Sequence, residues 1–305
     1  LYSQQATKAY GYRQRRGYEV TQTATFDRAG EDVGNVQMLE HVNVTVPDQG
    51  IASMFYVTGL GFTRDPYIDF GTLNMWVNLG DQQFHLPTNS AQVVRGHVGV
   101  IVPDLDGLLK RMKFAAKGLQ DTQFSCTEAD DHVALTCPYG NRIKAFAPSS
   151  FPRMDLGMPY VEFDVPPETT PGLARFYTQV LGCPAEHNDQ VTRVAMGHNQ
   201  TLVFRETDAP LPAYDGHHIA IYVADFSGPH AWLNERELIS EESDQFQYRF
   251  EKLTDPDSGE LLFELEHEVR SLSHAMYRRP LVNRNPSTNF FTYRRGNEQF
   301  APGPR

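Results

Sequence analysis

Apolar and polar positions alternate through Asp215-Gly216-His217-His218-Ile219-Ala220-Ile221-Tyr222-Val223. A period of two is the signature of a half-buried strand, so His217 and His218 face opposite sides of one sheet. The same pattern occurs earlier, at Arg95-Gly96-His97-Val98-Gly99-Val100-Ile101-Val102-Pro103-Asp104. His97 stands in the place of His218.

The neighbouring segments repeat as well, and in the same order. Leu39-Glu40-His41-Val42-Asn43-Val44-Thr45-Val46-Pro47 aligns with Pro159-Tyr160-Val161-Glu162-Phe163-Asp164-Val165-Pro166, which sets His41 opposite Tyr160. Both alternate and then stop at proline, which has no N–H to give to a sheet ladder. A helix is predicted after each, closed by a glycine stop at Leu60-Gly61 and at Leu181-Gly182. Strands are predicted at 74–79 and 82–87 in the first copy and at 192–196 and 201–205 in the second. The histidine strand follows, then a helix at Leu105–Ala116 or Ser227–Arg236. A turn and a last strand close each copy, at 138–146 and 255–265. Asp255-Pro256-Asp257-Ser258-Gly259 is such a turn, proline presetting one dihedral and glycine supplying a positive one. The chain therefore divides into an N-terminal arm (1–36), a first module (37–150), a second module (151–272) and a C-terminal strap or tail (273–305). Each module reads strand, helix, three strands, strand, helix, two strands.

Composition narrows the function. The 305 residues are 40% hydrophobic and 21% charged, ordinary values for a globular protein, and long enough for two modules to bury a core. A net charge of -11 argues against nucleic acid or an anionic membrane as partner, since both attract basic surfaces. No apolar run approaches the length of about 18 residues that a membrane span requires. Three separated cysteines without a CxxC pair suggest buried thiols in a reducing, intracellular compartment. Residues 1–18, with Lys8, Arg13, Arg15 and Arg16 and no acid, read as a polar arm. The other reading is the mature edge of a cleaved targeting peptide, which would place the protein in an organelle matrix or stroma. The tail, rich in Arg, Asn and aromatic residues, reads as a strap along a module or as a contact in a homo-oligomer.

The opening His-x-x-x-x-Val-Pro strand, the "GLGF" helix end, "QFHLP", the pair "GHVGVIVPD/GHHIAIYVAD" and "DPDSGELLFELE" together resemble the vicinal oxygen chelate superfamily. That superfamily holds glyoxalase I, extradiol and 4-hydroxyphenylpyruvate dioxygenases, and bleomycin- and fosfomycin-resistance proteins. The resemblance spans about residues 37–272. It implies an α+β fold of tandem paired βαβββ units, whose sheets form cups able to hold a divalent metal. It also implies that a first-strand ligand from one module joins later ligands from the other. One cup then takes His41, His218 and Glu264, a two-histidine, one-carboxylate set of the kind that binds Fe(II). The mirror cup takes Tyr160, His97 and the Lys144 region, and has lost its ligands. His218 aligns with His97 and is the ligand; His217, on the other face, is left to support it or to move protons, and the two roles remain interchangeable. Glu264 is preferred to Glu266 because "GELLFE" resembles the closing strand of ring-cleaving hydroquinone dioxygenases. Glu266 and Glu268 are expected at solvent or paired with Arg270.

His85 stands where glyoxalase-type enzymes place a fourth ligand. As a ligand it suits Zn, Ni, Co or Mn and proton-transfer chemistry; as a cavity residue it is an acid/base beside Fe(II). His187, His198, His230, His267 and His274 are expected at the surface. The leading reading is an Fe(II) dioxygenase acting on a small molecule, an aromatic diol or similar vicinal-oxygen compound. The alternatives are a glyoxalase-type isomerase or lyase, and a non-catalytic ligand-binding or assembly protein on the same scaffold.

Overall fold

The computed structural model describes residues 28–151, 154–279 and 281. The polar stretch 1–18 and most of the tail lie outside them. The chain separates into a unit ending at Asp32 and a unit beginning at Val33. Of the first, the described part is a short 3-10 turn at Ala29–Glu31. All that follows concerns the second.

In chain order its first half runs β1 (Val36–Asn43), α1 (Gln49–Ser53), β2 (Thr63–Asp69), β3 (Asn74–Leu79), β4 (Gln82–Pro87), β5 (Gly96–Ile101), α2 (Leu105–Ala115), β6 (Ser125–Glu128), β7 (Val133–Thr136) and β8 (Arg142–Phe146). The second half repeats the order: β9 (Gly157–Val165), α3 (Thr170–Gln179), β10 (Ala185–Asn188), β11 (Val191–Ala195), β12 (Thr201–Glu206), β13 (His218–Val223), α4 (Ser227–Asn234), β14 (Ile239–Asp244), β15 (Gln247–Thr254) and β16 (Leu261–Ser271). Each half is thus two βαβββ units. Three strands follow the second helix, one more than the sequence pattern predicts, because β6 and β14 are polar edge strands. Their mostly exposed residues carry no alternation to read.

Local chemistry sets the boundaries. After Pro47 and Pro103, the aspartates Asp48 and Asp104 cap α1 and α2, each carboxylate accepting from a backbone N–H at 2.9 Å. Beyond α1 the helix widens, Leu60 N–H donating to Phe55 C=O at 2.9 Å in an i→i+5 pattern. The glycine stops hold: Gly61 has φ +80° and Gly182 φ +64°.

The strands form two eight-stranded mixed sheets, ordered β14-β15-β16-β13-β1-β4-β3-β2 and β10-β11-β12-β9-β5-β8-β7-β6. Each sheet takes four strands from each half of the chain. At the centre of one, β1 runs antiparallel to β13; at the centre of the other, β5 runs antiparallel to β9. A buried apolar core draws residues from both sheets and all four helices, among them Phe55, Leu108, Phe163, Phe176, Ile219, Leu233 and Phe250. Each such side chain contributes about 1.5–3 kcal/mol when fully buried. Gly96 is required where β5 meets β9, since a Cβ there would lie 1.8 Å from the Glu162 carbonyl oxygen.

One core group is ionisable. His267, expected at the surface, is fully buried and stacked on Phe250 at 4.6 Å between ring centroids. Its Nδ1–H donates to Leu265 C=O at 2.8 Å, so Nε2 accepts from the Tyr177 hydroxyl at 2.7 Å. A polar residue between two glutamates reads as solvent-facing, but strand parity turns this one inward.

Burial lowers the His267 pKa from 6.5 to about 4. The unfolded chain therefore takes up the proton first, and the stabilisation, complete above pH 6.5, is lost as pH falls to about 4. Urea unfolding at pH 7 and pH 4 should show wild type losing up to about 3 kcal/mol more than His267→Phe. Equal pH slopes would contradict this placement.

Candidate metal centre

Lateral register assembles the site. His41 of β1 lies opposite Ala220 of β13, and Ala220 lies opposite Glu268 of β16. On the other side of β1, His41 pairs with Gln83 of β4, two residues from His85. Residues paired across a sheet share a face, and so do residues two apart along a strand. His41, His85, His218 and Glu268 therefore project to one side.

His41, His85 and His218 each offer a ring nitrogen, and these nitrogens all lie within 4.8 Å of one another. His41 Nε2, His218 Nε2 and both nitrogens of His85 are buried and have no hydrogen-bond partner. A buried polar atom left unsatisfied is costly, and three imidazoles that each turn one ring nitrogen toward the others form the donor set that a cation satisfies. His85 is stacked on Trp76 at 3.8 Å between ring centroids, which fixes its plane. Burial first, then the neighbouring His41 and His218, hold its pKa well below the usual histidine range, so it stays a neutral donor.

His41 is oriented from behind. A register shift in β1 between Leu39 and His41 leaves Glu40 unpaired against β13, a bulge that turns two consecutive side chains to the same face. Glu40 Oε2 accepts from His41 Nδ1 at 3.0 Å, leaving Nε2 for the centre. Burial alone would raise the Glu40 carboxyl, yet Arg270 and His41 bring it down to about 2. Arg270 bridges Glu40 to Glu268, the Tyr222 hydroxyl donates to Glu40 at 3.0 Å, and Arg249 holds Glu266 and Glu268 at 2.6 Å each. Glu268 lies 3.5 Å from His218 Nε2, and Glu266 3.2 Å from His218 Nδ1. Three carboxylates against two guanidiniums leave the ladder one negative charge in excess, which favours a cation beside it.

Two sequence-predicted residues stand elsewhere. Glu264 is not in the cluster; it pairs with Lys252, and its strand reaches the level of His218 only at Glu266 and that of His41 only at Glu268. The acid beside the imidazoles is Glu268, buried and paired with Arg270. The displacement arises because β16 runs to Ser271, past the end at 265 that the sequence suggests. His217 faces the core, its ring parallel to Phe163, with Nδ1 bound to Asp215 at 2.6 Å. It braces the entry to β13 and does not touch the three-histidine face. Glu40, Trp76, Arg249 and Arg270 were not singled out as site residues; only the Glu40–His41 adjacency was visible in the sequence.

The described part of the tail covers this face. Met276 packs against Trp76 and Ile68, and the Tyr277 ring lies 4.9 Å from that of Tyr222. Arg279 forms a buried ion pair with Asp65, and Asn78 donates to the Leu281 carbonyl at 2.7 Å.

In the other sheet the equivalent positions are occupied by Tyr160, His97, Lys144 and Val203, reading His41, His218, Glu268 and His85 across the same register. His97 Nε2 meets the Tyr160 hydroxyl at 3.0 Å. Of the four potential ligands, the histidine alone remains.

No protein-family model matches the sequence, and no curated protein matches it. Among solved structures, a Bacillus subtilis protein assigned as a dioxygenase superposes with TM-score 0.53 at 14% identity, over 80% of this chain and 88% of its own. Glyoxalase I from Zea mays superposes with TM-score 0.53 at 14% identity, over 77% of this chain and 92% of its own. These likenesses establish the fold, tandem βαβββ units paired across two sheets. No helix among the described residues is long and apolar enough to cross a membrane.

The acid assignment is open to measurement. Glu268→Ala strips a buried partner from Arg270 and should cost about 3–5 kcal/mol in urea unfolding of metal-free protein. Glu264→Ala should change it by less than about 0.5 kcal/mol. The reverse ranking would restore Glu264.

Proposed function

We propose that this chain, which has the vicinal oxygen chelate fold, is a metal-dependent enzyme in which His41, His85 and His218 hold a divalent cation. The observation that carries the reading is the convergence of their unpartnered, buried ring nitrogens. Fe(II) is the favoured metal and an aromatic diol or similar vicinal-oxygen compound the favoured substrate, in a dioxygenase reaction. Three imidazole ligands would leave coordination positions free for a bidentate substrate and dioxygen. Bound Fe(II) supplies Lewis acidity, which lowers the pKa of a chelated hydroxyl, and the one-electron chemistry that oxygen activation needs.

The protein's own groups prepare that site. Glu40 fixes the His41 tautomer and supports the ring as it donates. Trp76 holds the His85 plane, and Trp76 with Met276 keeps water from one side. Arg249 and Arg270 engage Glu268, which keeps its negative charge beside the cation without giving it freely as a ligand. Under this reading His85 is a ligand and not the acid/base of the site.

A second reading rests on the 3.5 Å approach of Glu268 to His218. Should Glu268 leave its arginines and complete the shell, four protein ligands would suit Zn, Ni, Co or Mn and a glyoxalase-type isomerase or lyase.

Elemental analysis of the purified protein should find about one divalent metal per chain, and His41→Ala, His85→Ala or His218→Ala should each abolish its retention. Protein stripped of metal and reloaded anaerobically with Fe(II) should consume dioxygen with a panel of catechols and hydroquinones, and Zn should not substitute. Oxygen-independent turnover with Ni, Co or Zn would overturn the dioxygenase reading in favour of the second.

A further inference from the structure

The face of the second sheet that carries Tyr160 and His97 has no metal-binding set, yet it is not filled. A cavity of about 370 Å³ opens there, walled by Phe151, Pro159, Tyr160 and Val203 and edged by Arg193, Asn199 and Thr201. Comparison position by position with the first sheet shows why it is open. Trp76, which lies opposite His85, is replaced by Arg193 opposite Val203. Gln83, which bonds Asp65 and Asn78, is replaced by Thr201 opposite Tyr160. The bulky indole that caps the metal face is thus exchanged for a flexible cation, and the histidine under it for a small apolar side chain.

The polar groups of this cavity divide into engaged and unengaged. Glu162 is bound by Arg205 through two contacts, at 3.0 and 3.3 Å, and the Tyr160 hydroxyl is bound to His97. The side chains of Arg193, Asn199 and Thr201 make no hydrogen bond or ion pair with any described residue. Lys144, standing on this face where the first sheet has Glu268, makes no direct ion pair with a described residue, although the Asp131 carboxylate is near enough to feel its charge. The two rings of the apolar wall, Phe151 and Tyr160, lie 6.1 Å apart, and the Phe146 ring packs against both at 5.2 and 6.2 Å. A hollow with an aromatic wall and unpaired cationic and neutral donors at its rim selects for a ring-bearing anion.

We propose that this cavity is a second, metal-independent binding site for a small aromatic or alicyclic carboxylate, the ring lying against Tyr160 and Val203 and the carboxylate reaching Arg193 and Asn199. It stands independently of the metal-centre reading, because it uses none of the same residues.

The test uses 1-naphthoate as probe, with 1-naphthylmethanol as its uncharged counterpart, titrated calorimetrically into the full chain. Naphthoate should bind saturably with Kd below about 1 mM, and the alcohol at least about tenfold more weakly. Arg193→Ala should weaken naphthoate by at least about tenfold, with Arg193→Lys recovering part of the loss. Val203→Trp, which fills the hollow, should abolish binding, and a His41→Ala/His85→Ala double variant should leave it unchanged. Arg193 is exposed, so its replacement leaves the folded core intact and the result interpretable. Absence of saturation below about 1 mM, or binding indifferent to Arg193→Ala and Val203→Trp, overturns the proposal; so does binding lost with the metal-site histidines.

Discussion

The centre rests on a buried alternation of charge. Glu40, Arg270, Glu268, Arg249 and Glu266 form a ladder across β1, β16 and β15, and three of the five are almost wholly removed from water. Ions so placed are tolerable only when each finds an opposite partner, and removing one leaves its neighbour stranded. The ladder therefore constrains the relative sliding of strands from opposite ends of the chain. Register, in turn, sets the spacing of the histidines. Positions two residues apart along a strand differ by roughly 6–7 Å, so a slip of one such step in β1, β4 or β13, which carry the imidazoles, would disperse them.

Much of this was legible from local pattern. The repeat, the proline and glycine stops and the two-residue period of the histidine strands are short-range signals, each tied to its own element. Even the interleaving of the halves, His41 beside β13 and Tyr160 beside β5, is the pairing that the family resemblance implies. His41, His85 and His218 came together because they sit within those well-marked strands.

What stayed hidden was long-range or conditional. Glu264, Glu266 and Glu268 share strand parity, and only the alignment of β16 against β13 tells which one reaches the histidines. That alignment depends on segments far apart in sequence, and no residue within "GELLFELEHE" encodes it. The bulge at Glu40 is silent for the same reason, since it exists only relative to β13. His267 was misread because its flanking glutamates mark a solvated strand unless an opposing helix, here α3 with Tyr177, covers that side. The edge strands β6 and β14 escaped notice for want of apolar positions.

The interleaved sheets bear on how such a chain can diverge. A half-length polypeptide that exchanged units with an identical copy would build both sheets by two-fold symmetry, and any substitution would then appear in both at once. Covalent fusion of the two copies lifts that restriction. Tyr160, Lys144 and Val203 can differ from His41, Glu268 and His85 only because one gene product now specifies each hollow separately. Joining the halves end to end thus creates room for a division of labour that a symmetric pair could never attain.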